Sequence, residues 1–494
     1  MQTVTLNKWK EPTMGTSSAS LVAWSVLALC AAEAALAQSG PLSEPADRSM
    51  SQLGLILRPV VEVEQELYSY RPAKNGAGPM WCFGNTCIVR LGDEVLVSGI
   101  RTLSDHVPLN NVRWMLLRCD AAGKAAEVAN GGDSHEREPC PITCFDDGRV
   151  FLSTNPNSCK PDQRDGPAQP QVLEFAAANP SARPSSLLPK WNRDLVFHGH
   201  TYRSFAADGP RHEMILFYNT AYDKTYWSFR DSQGRWSAQG EIDFPWGKEY
   251  DKPQPVRVCY PTVQLRDRAV YYCGVSDIVE PYQAWRAYKK QLTGQDWDYD
   301  FRRLLFTWSD DITTGKFHPW VEIASRDKTC GWLFPCDLWV APDKAVHLLW
   351  AERAIDTRLR EKFFPTARQS IALNYAVVRE GKVVLRKPVL QLDEGQHGDL
   401  PGRGRFHVTP DGRLFVLYFA SAAVSPTSGA RVPQNRLVEV LRDGAFGEPI
   451  GVPLKRPLET FFVAGVRGGS APSDLIDLLG ESEATLRYCR IRLR

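Results

Sequence analysis

The chain has 494 residues, of which 43% are apolar, 23% charged and 11% aromatic, a composition that buries a core and excludes a disordered chain. Fifty-nine basic against 57 acidic side chains leave a net +2, so no overall field draws a nucleic acid or a membrane surface, although local clusters can. Thirty-six Gly and 35 Pro punctuate the chain too often for long helices and suit many short strands.

The first element in chain order is an address. Lys8 and Lys10 precede an apolar stretch from Leu21 to Ala32, and Ala35-Leu36-Ala37 supplies a small-x-small cleavage pattern, which predicts a signal peptide over 1–37 cut after Ala37. Glu33 interrupts the stretch, which falls short of the roughly 20 apolar residues of a membrane span. The mature protein is therefore expected to be secreted or periplasmic, soluble, monomeric and without membrane insertion. In an oxidising compartment most of the cysteines beyond the signal are expected to pair. Cys82 with Cys87 and Cys330 with Cys336 bracket short loops. Cys259 and Cys273 lie equidistant from a turn near Arg266 and are placed opposite each other across a hairpin. Zinc is the rival reading of such pairs, but the spacings are irregular and no His follows at finger-like distance.

Residues 38–77 read as an N-terminal segment able to supply a ring-closing strand, and 78–494 as a single domain built on a repeat. Its unit is a short β-run, a polar turn and an apolar run. Clear copies are Arg405-Phe-His-Val-Thr-Pro-Asp-Gly-Arg-Leu-Phe-Val-Leu-Tyr418, Asp337 to Trp350, Cys144 to Leu152 and Tyr260 to Tyr272. Weaker copies turn near Gly92-Asp93, Gly209-Pro210 and Ala471-Pro472. Less regular strand pairs follow, turning at Asp231-Ser-Gln-Gly234, Glu380-Gly381 and Asp443-Gly444. Four strands repeated seven times predict an all-β, seven-bladed β-propeller of four-stranded antiparallel blades, at about 65 residues per blade. Six blades with a separate N-terminal piece is the alternative.

Ser228-Phe-Arg-Asp-Ser-Gln-Gly-Arg-Trp236 and Ser309-Asp-Asp-Ile-Thr-Thr-Gly315, followed by Trp320, resemble the BNR or Asp-box repeats of the sialidase-like propeller superfamily, without its strict Ser-x-Asp-x-Gly-x-Thr-Trp spacing. A propeller alone implies no activity, since the fold hosts enzymes and passive binders alike.

In such a ring the starts of the innermost strands and the ends of the second strands share one rim. That rule gathers Trp81, Cys140, His198, His200, Arg257, Tyr260, Trp332, Asp337, Arg403, Arg405, His407 and Thr460, with Asn219, Asp277 and Glu352. Period-two alternation would put His198, His200 and Tyr202 on one strand face. Imidazole beside phenol can act as base and acid; the same pair can be half of a metal site completed by His407 or Asp337, or bond backbone in the channel. Arg257 can fork a carboxylate of an acidic sugar, and Trp332 can stack on a sugar face. Arg405, His407, Asp337 and Tyr202 complete the expected substrate-binding set. Asp296-Trp-Asp-Tyr-Asp300 could bind a cation but lacks the glycine and carbonyl pattern of a calcium loop and reads as a solvated insertion; no cofactor is required, and a structural metal ion has no support.

The rim is short of carboxylates for a glycosidase pair, and the Phe-Arg-Ile-Pro segment usual in sialidases is absent. His, Tyr and Arg instead suit β-elimination across a uronate. This is similar to propeller-type polysaccharide lyases such as ulvan lyases, in which a His opening one blade lies close to a Tyr of a Tyr-Pro step in the next. The resemblance implies His198 or His200 and Tyr260-Pro261 as the matching positions. The Arg that those enzymes tend to carry after the second strand of the Tyr blade falls here near Cys273-Gly274, so Arg257 would substitute. The expected function is an exported propeller acting on acidic poly- or oligosaccharides by elimination or hydrolysis, with a non-catalytic glycan- or protein-binding propeller as the alternative.

Overall fold

The computed structural model describes residues 58–81, 83–424 and 430–494. Seven four-stranded sheets follow one another along the chain. Their innermost strands are Ile88–Leu91, Ile142–Cys144, Ser204–Asp208, Val258–Arg266, Trp332–Val340, Leu400–Val408 and Thr460–Val463, which open blades 1 to 7. Each pairs antiparallel with the strand that follows it; the seven turns of the repeat fall between such pairs, and those at Asp231, Glu380 and Asp443 between third and fourth strands. The architecture is a seven-bladed β-propeller.

Blade 7 takes its fourth strand from the other end of the chain. Pro59–Ser69 pairs antiparallel with Thr485–Leu493, so the N-terminal strand covers an edge that would otherwise present unpaired backbone groups. Ion pairs Glu62 with Arg492 and Glu66 with Arg487 lie across this seam.

The central strands explain why the apolar runs do not alternate. Glu213–Tyr218 and Ala269–Ser276 are buried throughout, because each blade is covered on both faces by its neighbours. The core is accordingly a series of interblade layers. One joins Phe217 and Trp227 of blade 3 to Val263 and Tyr272 of blade 4; the next joins Phe306 of blade 4 to Leu338 and Trp350 of blade 5.

The axis is plugged. The turn Val466–Gly468 of blade 7 carries Arg467 into the centre, where it pairs with Asp337 at 2.8 Å and donates to the carbonyls of Gly84 and Val263. Gly469 ends the turn at φ 88°, and a Cβ there would lie 1.9 Å from the Cys144 carbonyl oxygen, so only glycine fits. Asp337 is thus engaged in the hub.

Insertions between the second and third strands of blades 4 and 5 add helices Gln283–Thr293 and Arg360–Phe363 on the rim side. The Asp296 to Asp300 stretch belongs to the first of these. Its carboxylates already hold cations: Asp298 meets Lys289 at 3.2 Å and Asp300 meets Arg302 at 2.7 Å.

The expected Cys330–Cys336 and Cys259–Cys273 disulfides are not formed, and no disulfide joins any two described residues. The hairpin turns at Asp267-Arg268, past the centre expected near Arg266, so Cys273 pairs with Thr262, and beyond the bulge Cys259 lies opposite Val275. Cys330 turns its sulfur to Arg302 and Glu280, whereas Cys336 turns toward the Phe334 carbonyl. Cys82, and with it the proposed pairing to Cys87, lies outside the described residues, as does the signal segment 1–37.

Candidate functional site

The residues that open blades 3, 4 and 5 meet the loop preceding blade 1. Trp81 lies with its ring centroid 5.4 Å from His200, 5.2 Å from Tyr202 and 5.5 Å from Tyr260. His200 and Tyr202 are 4.3 Å apart, and Tyr202 and Tyr260 5.0 Å. The strip continues from Tyr260 to Phe334 at 5.0 Å and from Phe334 to Trp332, stacked at 5.5 Å. Phe83 closes against Phe334, and the Arg403 guanidinium covers Phe83 at 4.5 Å. The loop is seated closely: a Cβ on Gly84 would lie 2.0 Å from the Pro261 carbonyl oxygen.

Residues 198–203 are not in a strand; blade 3 begins only at Ser204. His200 and Tyr202 come together because Tyr202 adopts φ 42°. Tyr260 adopts φ 50° within its bulge. Left-handed backbone at a bulky residue costs of order 1–3 kcal/mol and collects at functional sites; here two such residues face each other.

A carboxylate orients the imidazole. Glu138, from the connection into blade 2, accepts from His200 Nδ1 at 2.8 Å, from the Thr201 amide at 2.9 Å and from the Thr201 hydroxyl at 3.1 Å. Donation through Nδ1 leaves Nε2 as the basic nitrogen. Burial, reinforced by the charge of Arg137, holds His200 below its ordinary value against the pull of Glu138. Burial opposes ionisation of Glu138 too, but the bond to His200 and the surrounding cations outweigh it and keep this carboxyl below its usual range. Burial pushes the phenols of Tyr202 and Tyr260 well above their ordinary value, and the two side chains hydrogen-bond each other. The resting site is thus a neutral imidazole facing protonated phenols.

Arg257 is present, but two of its three guanidinium nitrogens are already engaged. Nη2 and Nε bond the carboxylate and carbonyl of buried Asp277, each at 2.9 Å, while its flat face lies over Tyr222 at 4.4 Å and Tyr202 at 5.3 Å. It positions the tyrosines. Among the described residues, Arg137 beside His200 has no carboxylate partner, and Arg403 reaches only the Thr460 hydroxyl. These cations, unlike Arg257, remain available.

Several expected residues stand elsewhere. His198 is 53% exposed and faces Asp165 at 3.3 Å. Arg405 is buried, donating to the Phe461 and Cys336 carbonyls over the Phe462 ring. His407 is buried on the Ser473 carbonyl, and burial pulls its pKa down to about 4. The expected metal partners therefore do not converge, and the described residues contain no group of three or more His, Cys, Asp or Glu suited to a metal ion. Glu138 and Arg137 escaped the strand rule, although they lie within three residues of Cys140, which the rule did gather.

The fold has solved counterparts. An ulvan lyase bound to -[GlcA(1-4)Rha3S]-, described as a new family of polysaccharide lyase, is 9% identical with a TM-score of 0.52, covering 87% of this chain and 95% of that one. A second structure of such an ulvan lyase gives 0.51 at the same identity and coverage. At this identity the likeness shows the propeller fold. No protein-family model matches the chain, and no curated protein matches its sequence. No helix among the described residues is long and apolar enough to cross a membrane.

Proposed function

We propose that this protein is an exported, monomeric, carbohydrate-active propeller that cleaves an acidic glycan by β-elimination. The observation that carries the reading is the Glu138-oriented imidazole of His200 placed against the Tyr202–Tyr260 pair. In this reaction His200 Nε2 takes the proton α to the uronate carboxylate, and the charge that develops on the carboxylate is met by Arg137. The electron pair forms the C4–C5 double bond as the C4–O bond breaks, and the Tyr260 hydroxyl, kept protonated by burial, gives its proton to the leaving oxygen.

The fold likeness to an ulvan lyase supports this reading, as does the state of the carboxylates. Among the described residues at the site, Glu138 is committed to three bonds and Asp277 is paired with Arg257, which argues against a carboxyl pair of the kind hydrolysis uses. The Asp-box resemblance supports a sialidase-like ancestry: Asp231 accepts from the Gln233 and Arg235 amides in one turn, and Asp311 from the Thr313 amide in the other.

The test is ultraviolet absorbance of an unsaturated uronate on a panel of ulvan, unsulfated chondroitin and polygalacturonate. Absorbance that rises with wild type and not with Tyr260→Phe supports elimination. New reducing ends without absorbance would make the protein a hydrolase. Neither signal, with the polymer retained, would make it a binder, for which the Trp332–Phe334 strip under Arg403 is already suited.

A further inference from the structure

The rim continues beyond the aromatic strip. Trp332 pairs in register with Arg353, whose guanidinium lies over the indole at 5.6 Å. The next residue, Ala354, donates to the Ser370 carbonyl, and both line a groove of about 370 Å³ with Arg368, Asp393, Glu394 and Gln396. That volume is in the range of small-ligand sites.

The lining differs in charge from the strip. Arg326 at its edge is paired with Glu352, Arg368 donates to the Glu394 carbonyl, and the Glu394 carboxylate meets Arg360 at 2.7 Å. Cations and carboxylates are balanced, so the groove has no excess charge for a second anion. It offers guanidinium, carboxamide, carboxylate and hydroxyl groups in one wall, the donors and acceptors that a polyhydroxylated ring engages.

From this we infer that the groove is a subsite for an uncharged sugar unit of the same glycan chain whose acidic unit occupies the His200–Tyr260 centre. The substrate class is then a mixed polymer of uronate and neutral sugar. This rests on the proposed carbohydrate function and deepens it. The strip supplies the path between the two positions, with Trp332 and Arg353 at the junction.

The test uses the full chain carrying Tyr260→Phe, so that bound polymer is not consumed, and compares unsulfated chondroitin, which alternates uronate with a neutral sugar, with polygalacturonate, a uronate homopolymer. Arg368→Ala and Gln396→Trp, which trims and fills the groove respectively, are expected to weaken chondroitin binding about fivefold to tenfold, the worth of one or two hydrogen bonds. Polygalacturonate binding is expected to stay unchanged. Equal loss for both polymers, no loss for either, or a parent protein that binds neither overturns the subsite. Turnover is read separately in the wild-type background. Groove-dependent binding without any turnover would sink the elimination reading alone; turnover with groove variants that bind normally would sink the subsite alone.

Discussion

Glu138 Oε1 lies 2.8 Å from Nδ1 of His200, so a carboxylate from the connection into blade 2 sets the tautomer of an imidazole that opens blade 3. The same carboxyl group bonds the Thr201 amide and hydroxyl, which fixes the ring against rotation. Orientation of this kind acts on the chemical step and leaves ground-state binding alone.

Glu138→Gln keeps the shape and can still hold the Thr201 amide, but it removes the charge that stabilises an imidazolium as the proton arrives. The expected result is a fall in kcat of about tenfold to a hundredfold, with KM nearly unchanged. Steady-state kinetics on the cleaved polymer decide this. A rise in KM at constant kcat would assign Glu138 to binding.

The pH profile follows from the same groups. His200 must be neutral to act as a base, and its value is lowered by burial and Arg137, so the acid limb of kcat/KM should lie below the ordinary histidine value of 6.5. The acidic phenol is raised by burial, so the alkaline limb should lie above 10. Tyr260→Phe should lower kcat by about a hundredfold or more while polymer binding persists. A profile limited near pH 8 would implicate a different acid.

Arg137 and Arg257 should separate cleanly. Arg137 has no carboxylate partner among the described residues, so Arg137→Ala should weaken binding of acidic polymer and flatten its salt dependence without changing the melting temperature. Arg257→Ala leaves the Asp277 charge buried and unpaired, a loss of about 3–5 kcal/mol. Thermal unfolding and binding measured on both variants check the division; equal melting temperatures would refute it.

The repeat was legible because its signals are local. Turns such as Asp146-Asp-Gly148 and Pro410-Asp-Gly412 sit between runs of strand-forming residues, and neither needs knowledge of a distant partner. The ring's topology puts His200 and Tyr260 on one rim, and the structure brings them together through Tyr202, whereas His198, gathered by the same rule, faces Asp165. Asp337 is taken up by Arg467 of the Val466–Gly468 turn, Arg405 by the Phe461 and Cys336 carbonyls and His407 by the Ser473 carbonyl, long-range contacts with no local pattern. The Cys259–Cys273 pairing fails on register: Arg266 pairs with Ala269, so the hairpin turns at Asp267-Arg268 and not about Arg266, which puts Cys273 opposite Thr262.

Stability should depend on pH through two histidines remote from the proposed chemistry. His407, on the Ser473 carbonyl, is buried and His347, on the Tyr375 hydroxyl, is partly buried, and burial lowers each to about 4. An unfolded chain takes up their protons near 6.5, so between these values it binds more protons than the folded one and stability rises with pH. The contribution is fully present above about 6.5 and is lost progressively as pH falls toward 4, at an upper limit of about 3 kcal/mol per residue. His407→Gln can still donate to the Ser473 carbonyl but does not titrate. Its melting temperature should therefore fall less steeply than that of wild type between pH 6.5 and 4, and identical slopes would show that His407 does not contribute to the acid sensitivity of the ring.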